Sequence, residues 1–198
     1  MLSNCEPAKR ELPILGEKKT VSKEVDGKQI VDTIYFQIPD FQFVNQDSQV
    51  VTQKDYEGKV YVADFFFTSC PTICPVMKTQ MLRIHAHFKD NADVKIISHT
   101  IDPRHDTVGV LKDYATRLQV DSKRWNFVTG NRDVLIHAQK GYLVSALEDK
   151  DAAGGFVHSG AFVLVDKQRR IRGYYDGTKP EQVDLLIKDI ELLLANKL

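Results

Sequence analysis

The residues best suited to chemistry lie in "FFFTSCPTICPVM" (65–77), where Cys70 and Cys74 are separated by three residues and each precedes a proline. A thiolate serves equally as a nucleophile or as a metal ligand. The spacing brings two sulfurs close enough for a disulfide or for one shared ion. A proline disfavours the α conformation in the residue before it, so both cysteines are expected outside regular helix. Cys70 then belongs to a loop, and Cys74 sits at or just before the start of a helix running from about Pro75. Free N–H groups and the helix dipole favour an anion at that end, so at least one thiol should be acidified. Metal ligation and thiol–disulfide exchange both remain open on spacing alone. A purely structural staple is the weakest use, because a bridge closing three residues constrains little of the unfolded chain.

Other titratable residues surround this pair in sequence. Asp64 lies six residues before Cys70 inside an apolar run, and a buried carboxylate is costly without a task or a partner. Thioredoxins carry an acidic residue at the same offset, where it handles protons for the thiols, so Asp64 is a candidate for that role beside the alternative of a buried polar partner. His85 and His87 are two apart on a helix and point different ways; His85 borders the apolar stripe and reads as a packed histidine. His137 falls mid-helix. His99 and His105 bracket the loop after the next strand and are second-choice ligands. His158 follows Gly154 and Gly155 and stands one residue ahead of "GAFVLVD", which makes it the sharpest candidate.

The elements that must position these groups follow from periodicity. "IYFQIPDFQFVN" alternates around Pro39 as a bent pair of short strands. "KVYVADFFF" (59–67) is a near-continuous apolar run, as in a strand covered on both faces. Met77, Met81, Ile84 and Phe88 give the following helix its stripe. "DVKIISHTI" (93–101) is a second buried strand, and Asp106-Thr107 opens a helix to about Leu118. "WNFVTG" (125–130) is a third strand, with a helix over roughly 131–141 and a loop at 148–155. Residues 160–177 form a hairpin around Lys-Gln-Arg-Arg. Thr178 and Glu181 form a capping box for a last helix with the stripe Val183, Leu186, Ile190, Leu193. This order predicts an α/β, thioredoxin-like fold: a central mixed sheet flanked by helices, with an N-terminal β extension and a C-terminal β-hairpin plus helix. In such sheets ligands gather at the carboxyl ends of the strands, where Cys70 and Cys74 lie.

Three blocks in this order, "FTSCPTICP", "IDPRHDT" and "VHSGAFVLVD", resemble the Sco/SenC family of copper-binding thioredoxin-fold proteins over about residues 33–196. The resemblance implies that Cys70, Cys74 and His158 bind one copper ion, as Cu(I) with Cu(II) as a second state. It also implies a role in assembling the dinuclear copper centre in subunit II of cytochrome c oxidase. Some members act mainly as thiol reductants of that centre, so the alternative function is a thiol–disulfide oxidoreductase cycling Cys70 and Cys74, with Asp64 handling protons. Two thiolates and an imidazole are a soft set that suits Cu(I). Ser69 replaces the histidine that many members carry, and Thr72 stands where an acidic residue is common. Both departures leave room for the redox role. A general thioredoxin would carry Cys-x2-Cys and a proline before the strand at Gly160; this chain has neither. A peroxidase reading of "PTIC" lacks the usual threonine–cysteine frame.

Composition narrows the classes further. The 198 residues are 42% hydrophobic and 27% charged, with 27 basic and 27 acidic side chains. A nucleic-acid partner is therefore not expected. No run of about 18 apolar residues is present to span a membrane. Residues 1–28 read as a charged, flexible tether ahead of one domain over 29–198. Leu2-Ser3-Asn4-Cys5 resembles a lipobox, with Asn4 as a departure, which would place a lipid on Cys5 and the domain outside the cytoplasmic membrane, in a periplasm or at its outer face.

Overall fold

The computed structural model describes residues 10–25, 28–131, 136, 139–144, 146–148, 156–158 and 160–195, with backbone alone at 25, 146–148 and 156–158. Its centre is a seven-stranded sheet in the order β11-β10-β5-β6-β7-β3-β4. Strands β5 (Val60–Phe66), β6 (Val94–Thr100) and β7 (Trp125–Thr129) run parallel in the middle. β10 (Ala161–Val165) and β11 (Ile171–Asp176) extend one edge antiparallel. β3 (Gln42–Asn45) and β4 (Val50–Thr52) extend the other. Every residue of β5 is buried, as its unbroken apolar run predicts for a strand covered on both sides.

Alternation along β5 divides the core. Phe66 faces Tyr114 and Phe127 on one side, where α1 (Ile73–His87) and α2 (Val108–Leu118) pack. Tyr61 and Phe65 meet Tyr142 on the other. Tyr142 follows the helical residues 139–141, part of the helix expected over 131–141. The predicted stripes are buried in α1 at Met77, Met81 and Ile84, and in α3 (Pro180–Ala195) at Val183, Leu186, Ile190 and Leu193.

Several boundaries differ from the sequence expectation. The helix bearing Cys74 begins two residues earlier, at Ile73. Pro75 is thus its third residue, where a missing N–H leaves no helical hydrogen bond unmade. The Thr178–Glu181 capping box is replaced: Thr178 donates to Asp176 at 2.6 Å, and α3 starts with Pro180 at its first position, where the fixed φ suits a helix. The bent strand pair around Pro39 belongs to two different sheets. Part of the expected 148–155 loop is bordered by a small ribbon, β8 (Ala146–Glu148) against β9 (Phe156–His158).

The largest difference is at the N-terminus, where order begins well before residue 29. Leu12 is buried, and Leu15 donates its N–H to Ile171 O at 2.8 Å. Arg172 anchors the segment from beneath, donating to Pro13 O at 2.9 Å and pairing with buried Asp166 at 2.8 Å. Gly16 then turns the chain with φ +98°, and a Cβ there would lie 2.9 Å from Phe36 Cβ. Beyond it β1 (Lys18–Val25) and β2 (Lys28–Tyr35) form a separate hairpin. Its side chains are exposed on both faces, so no buried apolar alternation marked it in the sequence.

Arg172→Met should leave the Asp166 carboxylate without one of its cations and free the Leu12 and Pro13 carbonyls. We expect the Leu15 amide to exchange at least tenfold faster, with loss of about 3 kcal/mol of stability. Hydrogen exchange and urea unfolding measure the two effects.

Candidate metal and redox centre

β5 delivers the chain to a turn at Phe67–Ser69, and Cys70 N–H bonds Phe67 O at 3.2 Å. One buried carboxylate organises this turn. Asp106 accepts from the Thr68 N–H at 3.1 Å, from the Thr68 and Thr100 hydroxyls, and lies 3.0 Å from His105 Nδ1. It therefore ties the loop before Cys70 to the end of β6. The hydrogen bond to Asp106 holds the exposed His105 above the ordinary histidine pKa. The sequence marks Asp106 as a helix opener and as part of the "IDPRHDT" block, but gives it no role at the thiol turn. Its signal was the pair of threonines, Thr68 and Thr100, that end adjacent strands beside it.

Cys70 and Cys74 are both buried and both free thiols. Cys70 stays in the loop as expected, whereas Cys74 is the second residue of α1 and so inside the helix. The steric penalty before Pro75 is tolerated because this is the unconstrained first turn. The two thiols are electronically unequal. Burial pushes Cys70 up, but bonds from the Cys74 thiol, the Thr72 and Cys74 backbone N–H groups and the Thr72 hydroxyl outweigh it, leaving its pKa lowered. Thr72 Oγ1 lies 3.7 Å from Cys70 Sγ. Cys74 is pushed up to about 12, by burial first and then by donating its proton to Cys70. Cys70 is the thiol poised to ionise, and Cys74 holds it in place.

Asp64 is completely buried one turn beneath, and it has a partner. Lys78 Nζ lies 2.6 Å from Asp64 Oδ2 and 3.2 Å from Ser98 Oγ. Ser98 donates to Asp64 Oδ1 and accepts from Trp125 Nε1 at 2.9 Å. The ammonium also sits 4.2 Å above the Phe66 ring, a favourable cation–π placement. Lys78 falls within the predicted helix with no motif to mark it. Its place one turn after Cys74, on the buried face, was the available signal.

The histidines separate clearly. His99 is fully buried on the opposite face, stacked on Phe65 and edge-on to Phe43. Neither ring nitrogen has a hydrogen-bond partner, and burial pushes its pKa down to about 3. His85 is half-buried near Trp125, and His87 bonds Glu191 at 2.8 Å on the surface. His137 and Cys5 lie outside the described residues. For His158 the backbone alone is described, in β9 opposite Ala146. Two residues later Gly160 adopts φ +64°, and a Cβ there would lie 3.5 Å from Ile73 Cδ1. Gly160, two residues past His158, therefore lies against Ile73, the last of the three residues between the two cysteines. Among the described residues, no group of three or more His, Cys, Asp or Glu side chains stands ready for a metal.

Comparison with known proteins decides the family. The SCO1/SenC family model matches residues 35–195. The chain belongs to the SCO1/SenC family. A SCO1 protein homolog of Bacillus subtilis is 32% identical over 170 residues, covering 83% of this chain and 86% of that protein. The crystal structure of a SCO1/SenC family lipoprotein from Bacillus anthracis is similar at 30% identity and TM-score 0.73, covering 80% of this chain and 95% of that one. BsSco is described through a disulfide switch, as a member of the Sco family of cytochrome c oxidase assembly proteins. It matches at 30% identity and TM-score 0.70, over 82% of this chain and 95% of its own. Arabidopsis thaliana ScoI, solved with copper bound, shares the fold at 23% identity and TM-score 0.65, over 79% of this chain and 98% of its own. The thioredoxin-like mixed sheet expected from the sequence is the fold of these SCO1/SenC proteins.

Lys78→Met, which strands the Asp64 carboxylate, should cost about 3–5 kcal/mol, and adding Asp64→Leu should restore most of it. Urea unfolding of the single and double variants measures this. His99 gives a pH signature. The unfolded chain takes up a proton at this residue below about pH 6.5, whereas the folded protein resists until about pH 3. Stability should thus fall with acidification across that window, by up to about 1.4 kcal/mol per pH unit. In His99→Phe, whose ring suits the aromatic surroundings, that slope should disappear from unfolding curves recorded at pH 7, 6, 5 and 4.

Proposed function

We propose that this SCO1/SenC protein carries one copper ion as cargo between Cys70, Cys74 and His158. It would deliver the ion to the dinuclear copper centre of cytochrome c oxidase subunit II, outside the cytoplasmic membrane. The observation that carries the reading is the pair of free, buried thiols at one helix end, one already acidified by the other. Two soft, buried sulfurs suit Cu(I) better than a harder ion. The run from β9 through Gly160 to Ile73 supports His158 as the third ligand, and a swing of its imidazole would ease transfer to a partner. Cu(II) would be held more weakly by the same set. A lipid on Cys5 would keep the domain near its target, and mass spectrometry of the native protein tests for the acyl group.

Metal binding requires Cys74 to surrender a proton held up to about pH 12. Affinity should therefore fall as pH drops. Anaerobic titration of the reduced protein should show one equivalent of Cu(I). That stoichiometry should vanish in Cys70→Ser and in Cys74→Ser, and His158→Ala should weaken binding at least tenfold. Full retention in His158→Ala removes the histidine from the ligand set.

A second reading rests on the inequality of the thiols. In it the Cys70 thiolate attacks a partner disulfide and forms a mixed disulfide, and the departing partner sulfur takes a proton. The Cys74 thiolate then attacks Cys70 Sγ, closing a Cys70–Cys74 disulfide and releasing the partner as a dithiol. Asp64 is the candidate proton acceptor for Cys74 through Lys78. Turnover of an oxidised partner peptide by a protein that binds no copper makes this the primary function.

A further inference from the structure

We propose that the β1–β2 hairpin is a docking element for an anionic lipid surface. The hairpin is a two-stranded sheet of its own, with eight cross-strand pairs from Lys18↔Tyr35 to Val25↔Lys28. Among the described residues no other strand pairs with it. It joins the domain at Gly16 and through Phe36 N–H to Glu17 O at 2.9 Å. A two-stranded ribbon with no covered face is marginal in water. This one nevertheless exposes Ile30 at 51%, Val31 at 64% and Ile34 at 54%. Apolar side chains at that exposure on a free ribbon call for an occupant.

The register identifies the occupant. Paired residues share a face, and faces alternate along each strand. Ile30 and Ile34 therefore lie on the same face as Lys19, Lys23 and Lys28, with Val21 at its centre and Asp32 as its one acidic side chain. The opposite face holds Thr20, Ser22, Thr33, Val31 and Tyr35, with Lys18 and Glu24 balancing each other. The net positive charge of the hairpin is thus gathered on the face with both isoleucines. Apolar groups interleaved with lysines on a narrow two-stranded ribbon match the boundary between headgroups and acyl chains. The isoleucines enter, and the lysine stems lie along the surface with their ammonium groups at the phosphates. A protein partner would need a groove to receive the ribbon and a matching row of acidic groups. A bilayer needs neither. Only twelve residues separate Cys5 from Lys18, so the lipid proposed there would keep the hairpin within about 45 Å of chain of the same surface.

The test uses the full chain without an acyl group, verified by mass, so that it stands apart from the Cys5 proposal. Co-sedimentation with vesicles of phosphatidylcholine and phosphatidylglycerol at 3:1 should show binding that weakens between 50 and 500 mM salt. Pure phosphatidylcholine should bind at least tenfold less. The Lys19→Gln, Lys23→Gln, Lys28→Gln triple variant should lose binding at least tenfold, and Ile30→Ser with Ile34→Ser at least fivefold. Lys18→Gln, on the other face, should bind as the parent does. Far-UV circular dichroism and one-equivalent Cu(I) binding monitor the fold and the thiol site in each variant. Equal binding to neutral vesicles, or full binding by the lysine variant, overturns the proposal. So does a concentration-dependent dimer abolished by the isoleucine variant in a protein that ignores vesicles.

Discussion

The thiol turn is held by a charge pair in the least hospitable place for one. Asp64 on the central strand and Lys78 on the helix that carries Cys74 meet with both side chains almost wholly buried. Each would be strongly disfavoured alone, since removing an ion from water costs several kcal/mol before its partner returns any of it. Together with Ser98 and Trp125 they satisfy one another's hydrogen bonds, and the ammonium also rests on the Phe66 ring. The pair fixes the rotation of α1 over the sheet. Because Cys74 lies one turn before Lys78, that rotation decides where its sulfur points. A hydrophobic contact at the same place would hold the helix but leave its rotation softer.

Around that anchor the site is built asymmetrically. Asp106 pins the loop that carries Cys70, while α1 carries Cys74, so the two sulfurs arrive from separately supported elements. Burial raises the cost of ionising both, and the balance of hydrogen bonds favours ionising Cys70 over Cys74. Any chemistry that uses both sulfurs therefore requires Cys74 to give up its proton as well.

Much of this was legible before any coordinates. The covered strand β5 followed from an unbroken apolar run, and the stripes of α1 and α3 from helical spacing. The placement of Cys70 in a loop at a strand's carboxyl end followed from the same pattern. What escaped had physical causes. Pro75 was taken for the first helical residue, although the first turn tolerates proline at its third position as well. Lys78 escaped because a lysine on a helix is ordinarily solvated, and only a tertiary partner 14 residues earlier in the chain buries it. Asp106 was hidden in a helix-start pattern that it also satisfies. The β1 strand, expected as tether, lacks buried alternation because neither face of its hairpin packs on the domain.

Gly160 brings two of these pieces together. Its left-handed backbone lays the chain against Ile73 with no side chain between, so the segment entering β10 rests on the residue just before Cys74. A side chain at 160 would be strained by that positive φ, so the close approach of the two segments is kept by glycine.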